Sequence, residues 1–161
     1  MAIARRLQWY LDAQGIDYEV LPHPHSSTSL ETARESHVAA DHLAKPVLLE
    51  DEHGYVMAIV PASHRIDLGR LNLQLQRDLE LAREREIAEL FHDCARGAMP
   101  PLGSPYSIPT VYDDALAAAP EVWFEAGDHE DVVHLRGTDF LRLLAGSLHG
   151  RFSQRLVTGS G

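Results

Sequence analysis

The sequence of 161 residues lacks the features that mark several large classes of protein. It has one cysteine, Cys94, so no disulfide bond can form within the chain, which fits a reducing compartment. No apolar run approaches the roughly 20 residues that a membrane-spanning helix needs. The first residues form a polar amphipathic segment instead of the apolar centre of a signal peptide. We therefore expect a soluble, cytoplasmic protein that makes no membrane contact.

Basic residues are also scarce. Lys and Arg number 14 against 24 Asp and Glu, which leaves a formal net charge of −10. A protein that grips a nucleic-acid duplex usually presents a basic face, so binding to duplex DNA is disfavoured, while contact with a nucleic-acid end stays open. Lys45 is the single lysine, and every other basic residue is arginine. It is a candidate for a task that needs a compact, rotatable ammonium, although a surviving surface lysine is the plainer interpretation.

The motifs of the common hydrolases and nucleotide-binding proteins are absent. The chain has no Gly-x-Ser-x-Gly segment and no P-loop. Among its 10 histidines, His23 and His25 would point the same way on a strand and could supply half of a metal site. Neither a cysteine pair nor a metalloprotease helix motif accompanies them, so we expect no metal and no cofactor. Cys94 falls on the inner face of a predicted helix and is expected in the core.

Composition and apolar spacing predict one α+β domain. Hydrophobic residues make up 45% and charged residues 24%, close to globular averages. We expect one domain over residues 1–155 and a polar tail over 156–161. Strands and helices are interspersed without strict alternation, which indicates an α+β fold with a mixed sheet of about seven strands and helices packed around it. The predicted strands are 18–21, 47–49, 55–60, 79–81, 109–112, 122–124 and 131–135. Three predicted helices span residues 3–14, 30–36 and 83–93, and another carries Leu68, Leu71 and Leu75. A short alanine-rich helix precedes Pro120. The last predicted helix is capped by Thr138 and carries Phe140, Leu141, Leu144 and Leu148.

Two features remain as candidates for chemistry. Lys45 stands at the start of a predicted buried strand, where a side chain can be held at the rim of a cleft. The segment from Gly97 to Gly103 contains Pro100 and Pro101; glycine lets the backbone approach a ligand, and proline holds a loop in one shape. Such a loop can aim backbone N–H groups at a carbonyl oxygen or a phosphate. A rigid connection between two elements is the plainer interpretation.

Several segments, in the same order, resemble the YbaK/prolyl-tRNA editing-domain family of aminoacyl-tRNA deacylases. They are residues 18–24, the lysine-bearing segment 44–49, the Pro-Ala-Ser…Asp-Leu segment 58–68, the glycine-proline loop 97–103, and 125–129 followed by 139–140. Each motif is short, and their number and order make the match specific. The resemblance covers about residues 18–145 and implies a mostly antiparallel, barrel-like sheet.

The resemblance also implies a reaction. These domains hydrolyse the ester that joins a wrongly attached amino acid to the 3′ end of a tRNA, often the tRNA for proline. A second hydrolytic site is needed because one methylene gives a synthetase only about 1–3 kcal/mol of discrimination. A free-standing domain would do this in trans, without a metal, on a tRNA that carries a small amino acid. The implied partners are the aminoacylated CCA end of tRNA and a synthetase that could deliver it.

Site residues follow from the resemblance position by position. Lys45 would be the catalytic residue and would hold the terminal adenosine phosphate or the substrate carbonyl. Backbone N–H groups near Gly97 and Ala98 would stabilise the negative charge on the carbonyl oxygen. A ribose hydroxyl of the substrate, not a protein base, would place the water. The other implied substrate-binding residues are Met99, Pro100, Gly103, Gly127, His129 and His23.

The chain differs from the usual family pattern at Pro46, where threonine is more frequent, at Met99, where small or polar residues are common, and at Leu102, where phenylalanine is frequent. These differences leave the amino acid removed, and the activity itself, open. Two alternatives therefore stand beside the deacylase. One is a catalytically silent module that binds a nucleotide, an aminoacyl ligand or a protein partner. The other is a metal hydrolase built on His23, His25 and His129.

Overall fold

The computed structural model describes residues 3–156, so the predicted polar tail lies outside the described residues except for Leu156. Within this range no helix is long and apolar enough to cross a membrane. The α-helices are Arg5–Ala13 (α1), Ser29–Glu35 (α2), Leu68–Leu75 (α3), Glu84–Leu90 (α4) and Gly137–Leu143 (α5). The strands are Glu19–Pro22 (β1), Ala44–Asp51 (β2), Gly54–Pro61 (β3), His64–Ile66 (β4), Glu80–Leu81 (β5), Thr110–Asp113 (β6), Glu121–Glu125 (β7), Asp131–Arg136 (β8), Leu148–Gly150 (β9) and Ser153–Arg155 (β10).

The strands form three sheets. The largest has the order β5-β2-β3-β6-β9, in which β2, β3 and β5 pair antiparallel while β6 runs parallel to β3 and β9. A second sheet, β1-β8-β7, is antiparallel throughout, and β10 pairs antiparallel with β4. The predicted α+β class is therefore confirmed. The described residues form ten strands in three sheets, not one sheet of about seven, and these sheets do not close into a barrel.

The segments that sequence reasoning missed are short and lie outside long apolar runs. Strands β4, β9 and β10 have three residues each, which is too short for alternating polar and apolar residues or an apolar run to indicate a strand. The last helix ends at Leu143, and Leu148 lies in β9 instead of continuing that helix. Its N-cap position is Arg136, and the predicted cap Thr138 lies inside the helix. The alanine-rich segment forms only a 3₁₀ turn, Asp114–Leu116, which the side chain of Asp113 caps.

The β2–β3 hairpin is buried on both faces, as its continuous apolar runs predicted. Leu48 and Ile59 belong to the larger core cluster, which also includes residues of α1, β7 and β8. Leu49 and Val60 belong to a second cluster on the other face, together with Phe152 from the β9–β10 turn. Packing from both sides therefore holds β2, the strand that carries Lys45.

Replacing Phe152 with alanine tests this second cluster. The Phe152 side chain has 0% exposure, so the substitution removes buried contacts and leaves a cavity. We expect the free energy of unfolding to fall by about 3–5 kcal/mol in chemical denaturation. The control is Leu148→Ala on the neighbouring strand, where the side chain is 63% exposed and little stability should be lost. Equal losses in the two variants would contradict the two-sided core.

Candidate active site

One cleft brings together the two segments that the sequence singled out. It has a volume of about 330 Å³ and is lined by Lys45 at the start of β2 and by Gly97 and Met99 of the glycine-proline loop. Residues around α2, β2, β5 and α4 complete its wall: Ser27, Thr28, Ser29, Pro46, Val47, Leu48, Leu81, Ala82, Glu84 and Ile87. The lysine and the loop, about fifty residues apart in the chain, therefore face one space.

The amine of Lys45 is held rather than free in solvent. The residue is half-buried, and its Nζ donates a hydrogen bond to the backbone oxygen of His64 at 2.8 Å. Burial lowers the pKa of the Lys45 ammonium from its ordinary value because the charged form loses hydration. An ammonium has three N–H donors, so one bond to His64 leaves two for a ligand oxygen.

The loop rests on the imidazole of His129. Gly97 has a φ of +80°, in the left-handed region that favours glycine. A Cβ at this position would lie 3.4 Å from Nε2 of His129, so the loop backbone packs closely on that ring. The same nitrogen donates a hydrogen bond to the backbone oxygen of Arg96. His129 does not line the cleft and instead supports the loop from its other side.

The backbone donors of the loop differ from those that the sequence suggested. The N–H of Ala98 donates to the backbone oxygen of Ala95 at 3.0 Å, and Ala98 has 0% exposure, so this expected donor is already used. Within residues 3–156, the N–H groups of Gly97 and Met99 have no hydrogen-bond partner. Both of those residues line the cleft. The available pair is therefore Gly97 and Met99.

Two predicted substrate-binding residues of the loop instead shape its backbone. Pro100 is buried and does not line the cleft. A Cβ on Gly103 would lie 2.2 Å from the backbone oxygen of Ile108, a distance that no side chain tolerates. The carbonyl of Gly103 accepts the N–H groups of Tyr106 and Ile108, which turns the chain into β6. These residues give the loop its form and lie away from the cleft wall.

Gly127 acts in a similar way at the β7–β8 connection. Its φ is +110°, and a Cβ there would lie 2.8 Å from the Cβ of Ala4. Its carbonyl oxygen accepts the N–H of Ala95 at 2.6 Å, just before the glycine-proline loop. Gly127 thus joins the N-terminal segment, β7 and the loop, and it does not line the cleft.

His23 belongs to a buried polar cluster that sequence reasoning did not foresee. Its Nδ1 donates to the backbone oxygen of Pro24 at 2.7 Å, and its Nε2 lies 3.8 Å from Oε1 of Glu125. Glu125 also accepts a 2.5 Å hydrogen bond from the hydroxyl of Thr32 on α2, and burial raises the pKa of its carboxyl. The one feature of the sequence that could have indicated this cluster is an acidic residue, Glu125, at the end of a predicted apolar strand. The cluster ties α2 to β7.

The histidines proposed for a metal site are not arranged as a metal centre. The rings of His25 and His129 meet edge to face with centroids 5.5 Å apart, and His23 faces Glu125. In the part of the chain that the structure describes, no group of three or more His, Cys, Asp or Glu side chains could hold a metal ion. The alternative of a metal hydrolase built on these residues is therefore not supported.

A larger groove, about 590 Å³ in volume, lies elsewhere on the surface and is poorly suited to an anionic ligand. Five of its lining residues are acidic: Glu50, Asp51, Glu52, Asp78 and Glu80. Its arginine, Arg77, pairs with Asp51 at 2.5 Å, which lowers the pKa of that carboxyl. A phosphate would meet carboxylates there and no available cation. The cleft at Lys45 remains the candidate site.

Comparison with known proteins identifies the family. The model of the aminoacyl-tRNA editing domain family matches residues 23–143, most of the chain. The chain belongs to this family, which confirms the resemblance seen in the sequence. A search of curated proteins found no significant match to this chain.

Solved structures agree with this assignment. The chain is 27% identical to a structure described as a "putative trans-editing enzyme for prolyl tRNA synthetase", with a TM-score of 0.81 over 94% of this chain and 96% of that one. It is 26% identical to a longer protein from Marinobacter aquaeolei VT8 described as a "Putative signal transduction protein", with a TM-score of 0.74 over 92% of this chain and 30% of that one. The family model and the trans-editing structure support editing at the level of the family, and both structures share the YbaK-like fold.

Cys94 should react slowly with alkylating reagents. Burial raises the pKa of its thiol to about 12, and the sulfur lies 3.5 Å from the hydroxyl of Tyr106. Because the thiolate is the reactive form, iodoacetamide at pH 8 should modify the native protein far more slowly than the protein in denaturant. Mass spectrometry reads this directly, since the chain has one cysteine. Equal rates in the two states would show that the thiol is accessible and ionised.

Gly103→Ala should destabilise the protein, because the new methyl group would overlap the Ile108 oxygen at 2.2 Å. The loop backbone must move, at a cost of about 1–3 kcal/mol in the free energy of unfolding. Gly69→Ala is the matched control, since a Cβ on this α3 residue lies 3.8 Å from its nearest neighbour, in ordinary contact. Thermal unfolding compares them, and a fully stable Gly103→Ala protein would contradict the packing role.

Proposed function

We propose that this protein is an aminoacyl-tRNA deacylase that acts in trans and hydrolyses the ester of a mischarged tRNA. The tRNA for proline, carrying a small amino acid, is the proposed substrate, and the cytoplasm is the proposed location. The observation that carries the proposal is the shared cleft of Lys45, Gly97 and Met99. A single domain over residues 1–155 is part of the same proposal.

The size of the cleft suits the end of a tRNA. Its volume of about 330 Å³ lies at the lower end of the range for small-molecule sites, about 300–1,000 Å³. An aminoacylated adenosine is a ligand of this class, whereas a nucleic-acid duplex is far too wide. The apolar side chains of Pro46, Leu48, Ile87 and Met99 line the same space and would contact the amino acid that the ester carries.

The charge of the protein limits how it meets the tRNA. With a net charge of −10, the protein as a whole repels a polyanion. Affinity from phosphate contacts should be weak, because such affinity depends on the number of basic groups that replace counterions. We therefore propose a footprint restricted to the CCA end, with a synthetase or another partner delivering the tRNA.

The chemistry requires stabilisation of one developing charge. When water attacks the ester, the carbonyl oxygen becomes negative. The N–H groups of Gly97 and Met99, which have no partner among residues 3–156, are candidate donors to it. The Lys45 ammonium would hold the same oxygen or the terminal adenosine phosphate with the donors that His64 leaves available. A ribose hydroxyl of the substrate would place the water. An ester is reactive enough for positioning and a polarised carbonyl to suffice, with no metal ion.

A second candidate, a catalytically silent binding module, has one observation in its favour. Lys45 Nζ is already bonded to His64, and Pro46, which has no N–H, follows it in the strand. Such a module would bind an aminoacyl-adenosine analogue in the same cleft and would release no amino acid from any mischarged tRNA.

Lys45→Met tests the deacylase directly. Methionine keeps the length and much of the packing of lysine and removes its charge. We expect release of the amino acid from Ala-, Cys- or Ser-charged tRNA for proline to slow by about 100-fold or more, the scale seen when an oxyanion donor is lost.

Arg70→Met is the matched control, because it removes one positive charge from an exposed position on α3. It should deacylate at the rate of the unmodified protein, and thermal unfolding should show both variants folded. If Lys45→Met were as fast as the unmodified protein, the assigned role of Lys45 would be wrong.

A further inference from the structure

The place of the Lys45 amine depends on one backbone oxygen. Within residues 3–156, the hydrogen-bond acceptor of Nζ is the carbonyl of His64, the first residue of β4. Strand β4 follows β3 after only Ala62 and Ser63. A lysine side chain has a flexible four-carbon stem, so this far-end contact decides where its charge sits. Whatever holds β4 therefore also holds the amine.

A chain of side-chain hydrogen bonds holds His64. Its Nδ1 lies 2.9 Å from Oγ of Ser153 on β10, and that hydroxyl donates to Oδ2 of Asp113 at 2.8 Å. A serine hydroxyl has one proton, and here it goes to the carboxylate. The hydroxyl must therefore accept from His64, which places a proton on Nδ1. The chain thus runs in one direction, from imidazole to hydroxyl to carboxylate.

Asp113 is a fixed end for this chain. It has 3% exposure, and its carboxylate also accepts the backbone N–H groups of Ala115 and Phe152, each at 2.9 Å. Strands β4 and β10 pair over only three residues each, and a short two-stranded ladder is weak by itself. Backbone hydrogen bonds from the N–H of Leu156 to the oxygen of Ser63, and from the N–H of Asp67 to the oxygen of Phe152, hold the two ends of β4. The hydrogen bond to Ser153 adds an anchor on the His64 side chain itself.

We propose that Ser153 is a positioning residue for the deacylation reaction, acting through His64 on the amine of Lys45. The inference rests on the proposed function, because it assigns a purpose to the exact placement of the Lys45 charge. Ser153 does not line the cleft and touches no substrate there. Its effect is to keep the carbonyl of His64 where it orients the ammonium, and reactions of this kind lose rate when a charged group is misplaced by an ångström.

The single lysine makes the amine directly observable. Lysine labelled with ¹³C at Cε gives one side-chain signal in this chain, and its chemical shift against pH reports the titration of Lys45 without any assay of activity. The variants are Ser153→Ala, which removes the hydroxyl, and Ser153→Thr, which keeps it. The control is Gln154→Ala on the same strand. The Gln154 amide donates to Asp67 at 3.3 Å and takes no part in the hydrogen bonds that join His64, Ser153 and Asp113.

In Ser153→Ala, we expect the Lys45 titration midpoint to move to lower pH, because a loosened carbonyl stabilises the charged ammonium less. We expect kcat for deacylation to fall about fivefold with KM unchanged, the scale of one lost hydrogen bond. Ser153→Thr should restore both values, and Gln154→Ala should match the unmodified protein. The other ionisable groups near these atoms are Glu84 at the cleft and Asp41 with Arg155 beside Ser63, and none of these substitutions changes them.

An unchanged or raised Lys45 midpoint in Ser153→Ala would overturn the positioning role, even in a protein that is an active deacylase. An unchanged kcat in an active enzyme would overturn it as well. If the unmodified protein releases no amino acid from any mischarged tRNA, the proposed function fails by that result alone. The Lys45 midpoints of the four proteins then decide separately whether Ser153 places the amine.

Discussion

The β2–β3 hairpin is buried on both of its faces, and the rest of the site depends on that burial. A strand packed from two sides has little freedom to slide or twist, so its first residues project at a defined place. Lys45 is one of those residues, and its partner across the ladder is Val60, which has 0% exposure. The hairpin thus fixes the backbone position of Lys45, and the His64 carbonyl accepts a hydrogen bond from the Nζ of that lysine.

The candidate cleft and the large acidic groove differ in the charged side chains that line them. In a chain with a net charge of −10, the arginine of the large acidic groove is occupied by Asp51. Lys45 instead faces a neutral carbonyl oxygen, which orients the ammonium without cancelling its charge. A positive charge that remains uncompensated in a half-buried cleft attracts an anionic or polarised oxygen strongly, because the local dielectric is low. This contrast is why the smaller cleft, not the larger groove, is the candidate site.

Many residues that the family resemblance points to shape the site without lining it. Gly103 and Gly127 are required by close backbone contacts, and His129 supports the loop beneath Gly97. The His23–Glu125 pair lies deeper and ties α2 to β7. Support of this kind matters for a site that relies on backbone donors, because such donors act only when the loop holds one conformation.

The sequence by itself was sufficient for the α+β class, the buried hairpin, the family, and the choice of Lys45 and the loop from Gly97 as candidates. Apolar runs and turn residues carry the fold class and the hairpin locally, whereas the family follows from the resemblance of several short motifs in the same order. Tertiary structure alone decided that β4, β9 and β10 exist, because three-residue strands form only when a partner strand is already in place. It also decided that the N–H of Ala98 donates to Ala95, whereas the N–H of Met99 has no partner within residues 3–156. Only the folded structure brings His64, Ser153 and Asp113 into one series of hydrogen bonds. Hydrogen bonds between residues 40 and 89 positions apart leave no periodic trace in a sequence, since they depend on where the packed elements finally meet.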